Sequence, residues 1–360
     1  MNFKTETAKK ILFVGVVFTT FVLFVIACVY DVTTDNEYLF NEVVDAMGDE
    51  EKSVEESSAE EIVSEEPSEE ESSEEASEES KSDESFMAGA TKGSLEGVYV
   101  NSPHCFVYNA TDNVILYEKN AYDSCYPASV TKLLTAAVAL EYVPIETVFK
   151  VGSEINMVGY NSSMAYISEG QSFTLKDLLY ALLLPSGNDA AHTIAVGTSR
   201  YLYGDGMTNE EAVAKFMELC HEKLAEIGAY NTNFSGPDGY HHDDHYTTAY
   251  DMMLISLYAT SFEEIVTACG TYKYYCKSVE GDSMGWLNSN PLMKEHGQYY
   301  CPLVTGLKTG STDEAGKCLA ITAEKNGKKL YIVILGAPNV DVRNTDMLEI
   351  IHSVFGYCPS

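Results

Sequence analysis

The sequence predicts an α/β domain built on one antiparallel sheet flanked by helices. Three observations lead there. Strand-like runs stand at both ends of the folded part, a helical period fills its middle, and Asn326-Gly327 near the end joins two apolar runs as a tight hairpin. Strands from both ends bracketing a helical middle belong in one sheet, with the helices packed on it.

In chain order, 98–100 and 105–108 read as strand and 114–117 as the next, with Asn109-Ala110-Thr111-Asp112-Asn113 as the intervening turn. A helix is expected to begin near Ser129, because an apolar run from Leu133 to Leu140 follows it. Thr174, with Asp177 three residues on, forms a capping-box pattern that opens a helix running to Leu184. Pro185 ends that helix and puts Ser186 and Asn188 on an interhelical loop. Val213, Phe216, Met217, Cys220, Leu224 and Ile227 keep a helical period, with Gly228 as the cap. Residues 317–323 and 330–335 are the strands of the Asn326-Gly327 hairpin, and a final helix covers 347–355.

Of the 360 residues, roughly the last 265 form an even stretch long enough for one large domain, or a domain plus a subdomain. The N-terminal part differs in kind. Residues 11–30 carry no charge and are long enough to cross a bilayer; Lys4, Lys9 and Lys10 precede them and Asp31 follows, an orientation that exports the rest. An anchor helix, a cleaved secretory signal, and a lipoprotein signal at Val25-Ile26-Ala27-Cys28 are the three readings of this segment. All three place the catalytic part outside the cytoplasm. From 49 to 85 the chain is mainly Glu and Ser and holds about half of the net charge of −33. Such a tract cannot bury enough apolar surface to offset its chain entropy, so disorder is expected, as a membrane tether or as a plain solubilising spacer. The expected organisation is an anchor or signal segment at 1–31, an acidic linker at 32–90 and a catalytic domain at 91–360. The acidity argues against nucleic-acid binding.

Three short motifs carry the chemistry: Ser129-Val130-Thr131-Lys132, then Ser186-Gly187-Asn188, then Lys308-Thr309-Gly310. Positions i and i+3 of a helix share a face, so the Lys132 amine can reach the Ser129 hydroxyl and serve as its general base. That role needs a neutral amine, and both burial and a neighbouring cation lower an amine's pKa. Lys308 is the expected cation, which would couple the first and third motifs. A helix-entry Ser with a solvated Lys is the plain alternative, but Lys132 sits directly ahead of the apolar run, which favours burial.

The motifs lie in Pro127-Ala128-Ser129-Val130-Thr131-Lys132-Leu133-Leu134, Leu183-Leu184-Pro185-Ser186-Gly187-Asn188-Asp189-Ala190 and Thr305-Gly306-Leu307-Lys308-Thr309-Gly310-Ser311-Thr312. Leu116-Tyr117-Glu118-Lys119-Asn120, Pro237-Asp238-Gly239 and Asn288-Ser289-Asn290 add to the pattern. From about Gly97 to the C-terminus the chain resembles the low-molecular-mass penicillin-binding proteins, specifically the serine D-alanyl-D-alanine carboxypeptidases of peptidase family S11. The resemblance implies a β-lactamase/transpeptidase-like fold with an all-helical subdomain carrying the second motif. It implies Ser129 as nucleophile, Lys132 as base and Ser186 as proton relay to the leaving D-alanine. Asn188 would bind the substrate amide, Lys308 and Thr309 its terminal carboxylate, and Gly310 would admit the peptide to the strand edge. Backbone N–H groups of Ser129 and Ser311 would hold the oxyanion. The implied partners are a peptidoglycan stem peptide ending in D-Ala-D-Ala, β-lactams as covalent inhibitors, and the cytoplasmic membrane through the N-terminal segment. No cofactor or metal is implied. Arg343 matches a position near the carboxylate site, with a surface role as the other reading.

His241, His242, Asp243, Asp244 and His245 have the chemistry of metal ligands but lack regular ligand spacing and read as an exposed loop. Nine cysteines show no paired spacing. The family's usual C-terminal β-rich domain and amphipathic helix are expected to be absent, since the sequence stops soon after its last core helix. Cys220-His221 stands where Met-Asn is frequent in the family. A serine β-lactamase is one rival, although its middle motif is usually Ser-Asp-Asn and it carries a water-activating Glu with no clear counterpart here. A non-catalytic β-lactam sensor or wall-binding module is the other, and it is disfavoured by three intact motifs.

Overall fold

Residues 86–356 are described by a computed structural model; the apolar segment at 11–30, Cys28 and the Glu/Ser tract, with the domain boundary at 31, lie outside the described residues. The chain starts with β1 (Thr91–Lys92), β2 (His104–Asn109) and β3 (Val114–Lys119). A 3₁₀ turn, Ala128–Thr131, leads directly into α1 (Lys132–Tyr142). Next come β4 (Val148–Lys150), β5 (Ser172–Thr174), α2 (Leu175–Leu183), α3 (Asn188–Tyr203), α4 (Asn209–Glu226), α5 (Ala249–Ala259) and α6 (Glu263–Gly270). The last part holds β6 (Lys273–Lys277), β7 (Ser283–Leu287), β8 (Val304–Thr312), β9 (Gly316–Lys325), β10 (Lys328–Ala337) and α7 (Val340–Phe355).

The main sheet runs β1-β3-β2-β10-β9-β8, antiparallel throughout except for the short parallel β1–β3 pair. An early strand, β2, thus lies beside the late strand β10, as the bracketing pattern requires. Alternation along each strand serves two cores. Phe106, Tyr108, Ala320, Tyr331, Val333 and Leu335 face the helical layer with Leu133, Ala137, Met252 and Ile255. Cys105, Val107, Leu319, Ile321, Leu330, Ile332 and Ile334 face the other side, where Met347, Ile350 and Ile351 of α7 cover them. A sheet covered on both faces needs apolar residues at nearly every position, which is how β10 reads. Two two-stranded ribbons, β4-β5 and β6-β7, are set among the helices.

Local signals place most of the elements. Thr174 accepts from the Asp177 N–H to open α2, and Thr208 with Glu211 forms a complete capping box on α4. Asn326 and Gly327 both have positive φ, 53° and 78°, as a type I′ hairpin demands. Two expectations need correction. Residues 98–100 are not a strand, because this segment docks on α7 instead of pairing with a neighbour. Glu349 accepts from the Tyr99 N–H, and Asp346 accepts from the Asn101 backbone and side-chain N–H groups. The other oxygen of Asp346 accepts from the N–H and hydroxyl of Ser102 at 2.7 and 2.6 Å. The final helix begins at Val340, seven residues earlier than expected, because Asn339 caps it through the Val342 N–H.

Asp346 is fully buried and answers four donors. Asp346→Ala should lower unfolding stability by about 3 kcal/mol, since buried donors left without an acceptor carry their full desolvation penalty. Urea denaturation of the purified chain measures this, and a loss under ~1 kcal/mol would show that the 99–102 segment is held some other way.

Candidate active site

The turn that presents Ser129 is held by close backbone approaches. Ala128, just before it, has φ 50°, a left-handed conformation that costs a non-glycine residue about 1–2 kcal/mol and must be imposed from outside. Two glycines allow that imposition. Gly239 has φ 76°, and a Cβ there would lie 2.1 Å from the Ala128 carbonyl oxygen. Gly310 on β8 would place a Cβ 2.9 Å from the Pro127 carbonyl oxygen and 3.1 Å from the Ser129 nitrogen. The Ser129 turn is therefore clamped between the 237–239 loop and β8, a strand whose second edge carries no partner strand among the described residues.

Lys132 is the first residue of α1 and fully buried. Its Nζ donates to Asn188 Oδ1 at 2.7 Å, to the Asp238 backbone oxygen at 2.6 Å and to Ser129 Oγ at 3.0 Å. Two of these partners are carbonyl oxygens, which only accept. When the amine loses a proton, its lone pair can face only the hydroxyl, the one partner with a hydrogen to give. Burial draws the Lys132 pKa down to about 8, while the charges of Asp238 and Asp189 act upward.

Lys308, also buried, lies well below the ordinary lysine value, first through burial and then through the charge of Lys132, with Arg343 adding to it. The first and third motifs are coupled, but not in the expected sense: burial, not the charge of Lys308, lowers Lys132, and it is the charge of Lys132 that bears on Lys308. Among the described residues, Lys308 Nζ donates to the Thr309 carbonyl alone, at 3.1 Å.

A cavity of about 480 Å³ opens here, lined by Ser129, Asn188 and Ser311 together with Ser162, Tyr240 and His241. Asn188 is the first residue of α3, not a loop residue as expected; its Nδ2 donates to Ser162 Oγ at 3.0 Å. Thr309 Oγ1 meets Ser289 Oγ at 2.7 Å, and the Ser289 N–H donates to the Leu184 carbonyl, which ties β8 to the loop of the second motif. Ser186, at φ 69°, is buried, and its Oγ has no hydrogen-bond partner among the described residues. Leaving such a hydroxyl unmatched costs about 1–3 kcal/mol, a strain typical of a group awaiting a ligand. No hydrogen bond joins Ser186 to the Ser129–Lys132 pair. Arg343 is buried rather than superficial, donating to Asn344 Oδ1 and the Cys318 carbonyl.

Sequence reasoning missed the part played by Asp238 and Asp189. Asp189 is fully buried and takes the N–H groups of Ala165 and Ile167, which fixes the wall containing Ser162. Its position directly after the second motif was the available signal. The histidine cluster divides. His245 is buried, not on an exposed loop, and meets Thr131 Oγ1 at 2.8 Å and the Ser235 N–H at 3.1 Å; burial pushes its pKa down to about 4. Among the described residues, no group of three or more His, Cys, Asp or Glu is arranged to hold a metal ion.

The buried amine has a consequence for stability. With its pKa near 8 folded and 10.5 unfolded, Lys132 binds fewer protons when folded across that interval, so its contribution to stability improves as pH rises through it. Lys132→Met should therefore stabilise the chain most below pH 8. That advantage should shrink by about 3 kcal/mol by pH 10.5, as read by denaturation of both chains across pH. A gap that stays constant with pH would show that the amine is not buried charged.

Against known families, residues 92–339 match the peptidase S11 model, D-alanyl-D-alanine carboxypeptidase. D-alanyl-D-alanine carboxypeptidase DacF of Bacillus subtilis is 31% identical over 245 residues, 67% of this chain and 59% of that protein. The D-alanyl-D-alanine carboxypeptidase of Streptomyces sp. strain K15 is 27% identical over 286 residues, 75% of this chain and 94% of that one. The crystal structure of the Streptomyces K15 DD-transpeptidase superposes with a TM-score of 0.65 at 28% identity, covering 72% of this chain and 98% of that one. The fold is the β-lactamase/transpeptidase-like fold of these DD-peptidases. With the family model spanning the sheet, the helical layer and all three motifs, the chain belongs to the peptidase S11 family of D-alanyl-D-alanine carboxypeptidases.

Proposed function

We propose that this chain is a serine D-alanyl-D-alanine carboxypeptidase that removes the terminal D-alanine from peptidoglycan stem pentapeptides through a Ser129 acyl-enzyme. The observation that carries this reading is the Lys132 amine, whose carbonyl partners leave its lone pair no direction but the Ser129 hydroxyl. Near pH 7 about one molecule in ten has that amine neutral, enough for a general base that is re-formed in each turnover.

The Ser129 proton passes to Lys132 as Oγ attacks the carbonyl carbon between the two terminal D-alanines. The negative charge on the carbonyl oxygen is met by the backbone N–H groups of Ser129 and Ser311, at the point where Gly310 brings β8 against the nucleophile turn. Lys308 and Thr309 bind the substrate's terminal carboxylate, and Asn188 holds its amide. As the C–N bond breaks, Ser186 gives its hydroxyl proton to the nitrogen of the departing D-alanine and takes the Ser129 proton from Lys132 in exchange, which leaves the amine neutral for deacylation. Water then attacks the ester, giving its proton to Lys132, and the Ser129 hydroxyl returns. β-Lactams acylate the same oxygen. The 11–30 segment holds the chain at the cytoplasmic membrane with the catalytic domain on the wall side, and the acidic tract serves as the tether.

Incubating the purified chain with a stem pentapeptide should give a tetrapeptide and free D-alanine by mass spectrometry. Ser129→Ala should abolish both this product and labelling by a fluorescent penicillin; persistent labelling would overturn the nucleophile assignment. A product joined to an added amine acceptor, with no free D-alanine, would make the chain a transpeptidase instead. Deleting 50–84 should lower activity on intact walls more than on soluble peptide, and equal losses on both would remove the tether.

A further inference from the structure

Two buried side chains that the mechanism above does not use meet at the residue that holds the Lys132 amine. Asp238 accepts from Lys132 through its backbone oxygen at 2.6 Å, while its carboxylate turns elsewhere. Its Oδ1 accepts from the Tyr240 N–H at 2.9 Å, and its Oδ2 lies 3.5 Å from His192 Nε2. His192 stands four residues after Asn188, on the same face of α3. One helix therefore supplies both the carbonyl that takes one amine hydrogen and the imidazole that faces the carboxylate beside it. Both side chains are more than nine-tenths buried, and His192 Nδ1 has no hydrogen-bond partner among the described residues.

The chemistry of Lys132 makes this contact consequential. Burial would push the Asp238 carboxyl up, yet the hydrogen bond from His192 and the charge of Lys132 outweigh it and hold it ionised at about 2. An unbalanced carboxylate so close to a general base would keep the base protonated, and the base must lose its proton to work. We propose that Asp238 and His192 are a charge-balancing, positioning pair, in which His192 fixes the Asp238 carbonyl under the amine and offsets the carboxylate's pull on the Lys132 proton. This rests on the reading of Lys132 as the base for Ser129.

The other titratable groups around the pair have their own anchors. Asp189 on α3 is held by the N–H groups of Ala165, Ile167 and Ala190, and Lys308 on β8 by the Thr309 carbonyl. His245 is bonded to Thr131 and Ser235, and it feels the charges of Asp238, Lys132, His241 and His242. None of these makes a hydrogen bond to the Asp238 carboxylate among the described residues; His192 is the titratable side chain within 3.5 Å of it.

The test is the second-order rate of Ser129 acylation by a fluorescent penicillin, measured on the full chain from pH 5.5 to 9.5. In the wild type the rate rises with pH and levels near the Lys132 value. Asp238→Asn, which keeps the backbone carbonyl and the side-chain shape, should move the rising limb to lower pH by at least about 0.5 unit. His192→Ala, which leaves the carboxylate unbalanced, should move it to higher pH by a similar amount. His192→Gln, which retains an N–H donor toward Asp238, should recover most of the plateau rate lost in His192→Ala. Opposite shifts from two touching residues are not what a loss of packing gives. Limbs that stay put, or that move the same way, overturn the proposal. Asp238→Asn decides the matter alone if His192→Ala does not fold, because an unmoved limb there is enough. A wild-type chain that takes no label at Ser129 removes the acyl-transfer reading and the pair's role with it.

Discussion

The rest of the site depends on one constraint: a lysine amine buried away from water must have every one of its hydrogens assigned. A charged amine in a dry interior is costly unless each N–H finds an acceptor. Lys132 meets that demand with two carbonyl oxygens and one hydroxyl, drawn from α3, the 237–239 loop and its own turn. Because the carbonyls cannot donate, loss of one proton leaves a single possible arrangement, with the lone pair facing Ser129. The same burial that makes the amine expensive also makes it a base near neutral pH. Structural cost and chemical capacity have a common origin.

Holding three distant segments to within a few tenths of an ångström is the task of the scaffold. The nucleophile turn, the α2–α3 loop and β8 lie far apart in sequence and meet only because the helical layer packs on one face of the sheet while α7 seals the other. Position within the sheet matters as well. β8 is an edge strand, so one side of its backbone remains available to a peptide while the other is fixed by β9. Glycine at 239 and 310 lets backbone approach backbone around Ser129, and the left-handed Ala128 shows that the turn is imposed by its surroundings.

Charge in the interior is arranged along the same lines. Around the site the basic side chains Lys132, Lys308 and Arg343 are buried along with the carboxyl groups of Asp189 and Asp238. Removing charges from water is repaid only when their hydrogen bonds are complete. Asp189 takes three backbone N–H groups, and Asp238 takes one N–H and a histidine contact. Ser186 Oγ, His192 Nδ1 and His241 Nδ1 are among the buried polar atoms near the site that have no hydrogen-bond partner among the described residues. Two of these three belong to the residues argued above to act on the substrate or on the base.

What the sequence determined by itself was local. Periodicity gave the apolar face of α4, Thr174 marked the start of α2, and Asn326-Gly327 fixed a hairpin, because each rests on contacts between residues near in the chain. The motif spacing gave the Ser129–Lys132 pair for the same reason, since a single turn delivers it. Tertiary structure decided the remainder. Residues 98–100 look like a strand, but Glu349 takes the Tyr99 N–H and Asp346 holds Asn101 and Ser102 just after them, both carboxylates coming from the far end of the chain. His245 reads as part of an exposed loop, and a surface role is one of two readings of Arg343, yet packing from other elements buries both. The part played by Asp238 was hidden because its working atom is a backbone oxygen, which no residue type announces. That oxygen matters only once the fold carries the 237–239 loop to the start of α1, across more than a hundred residues, where loop closure and core packing rather than local preference set the geometry.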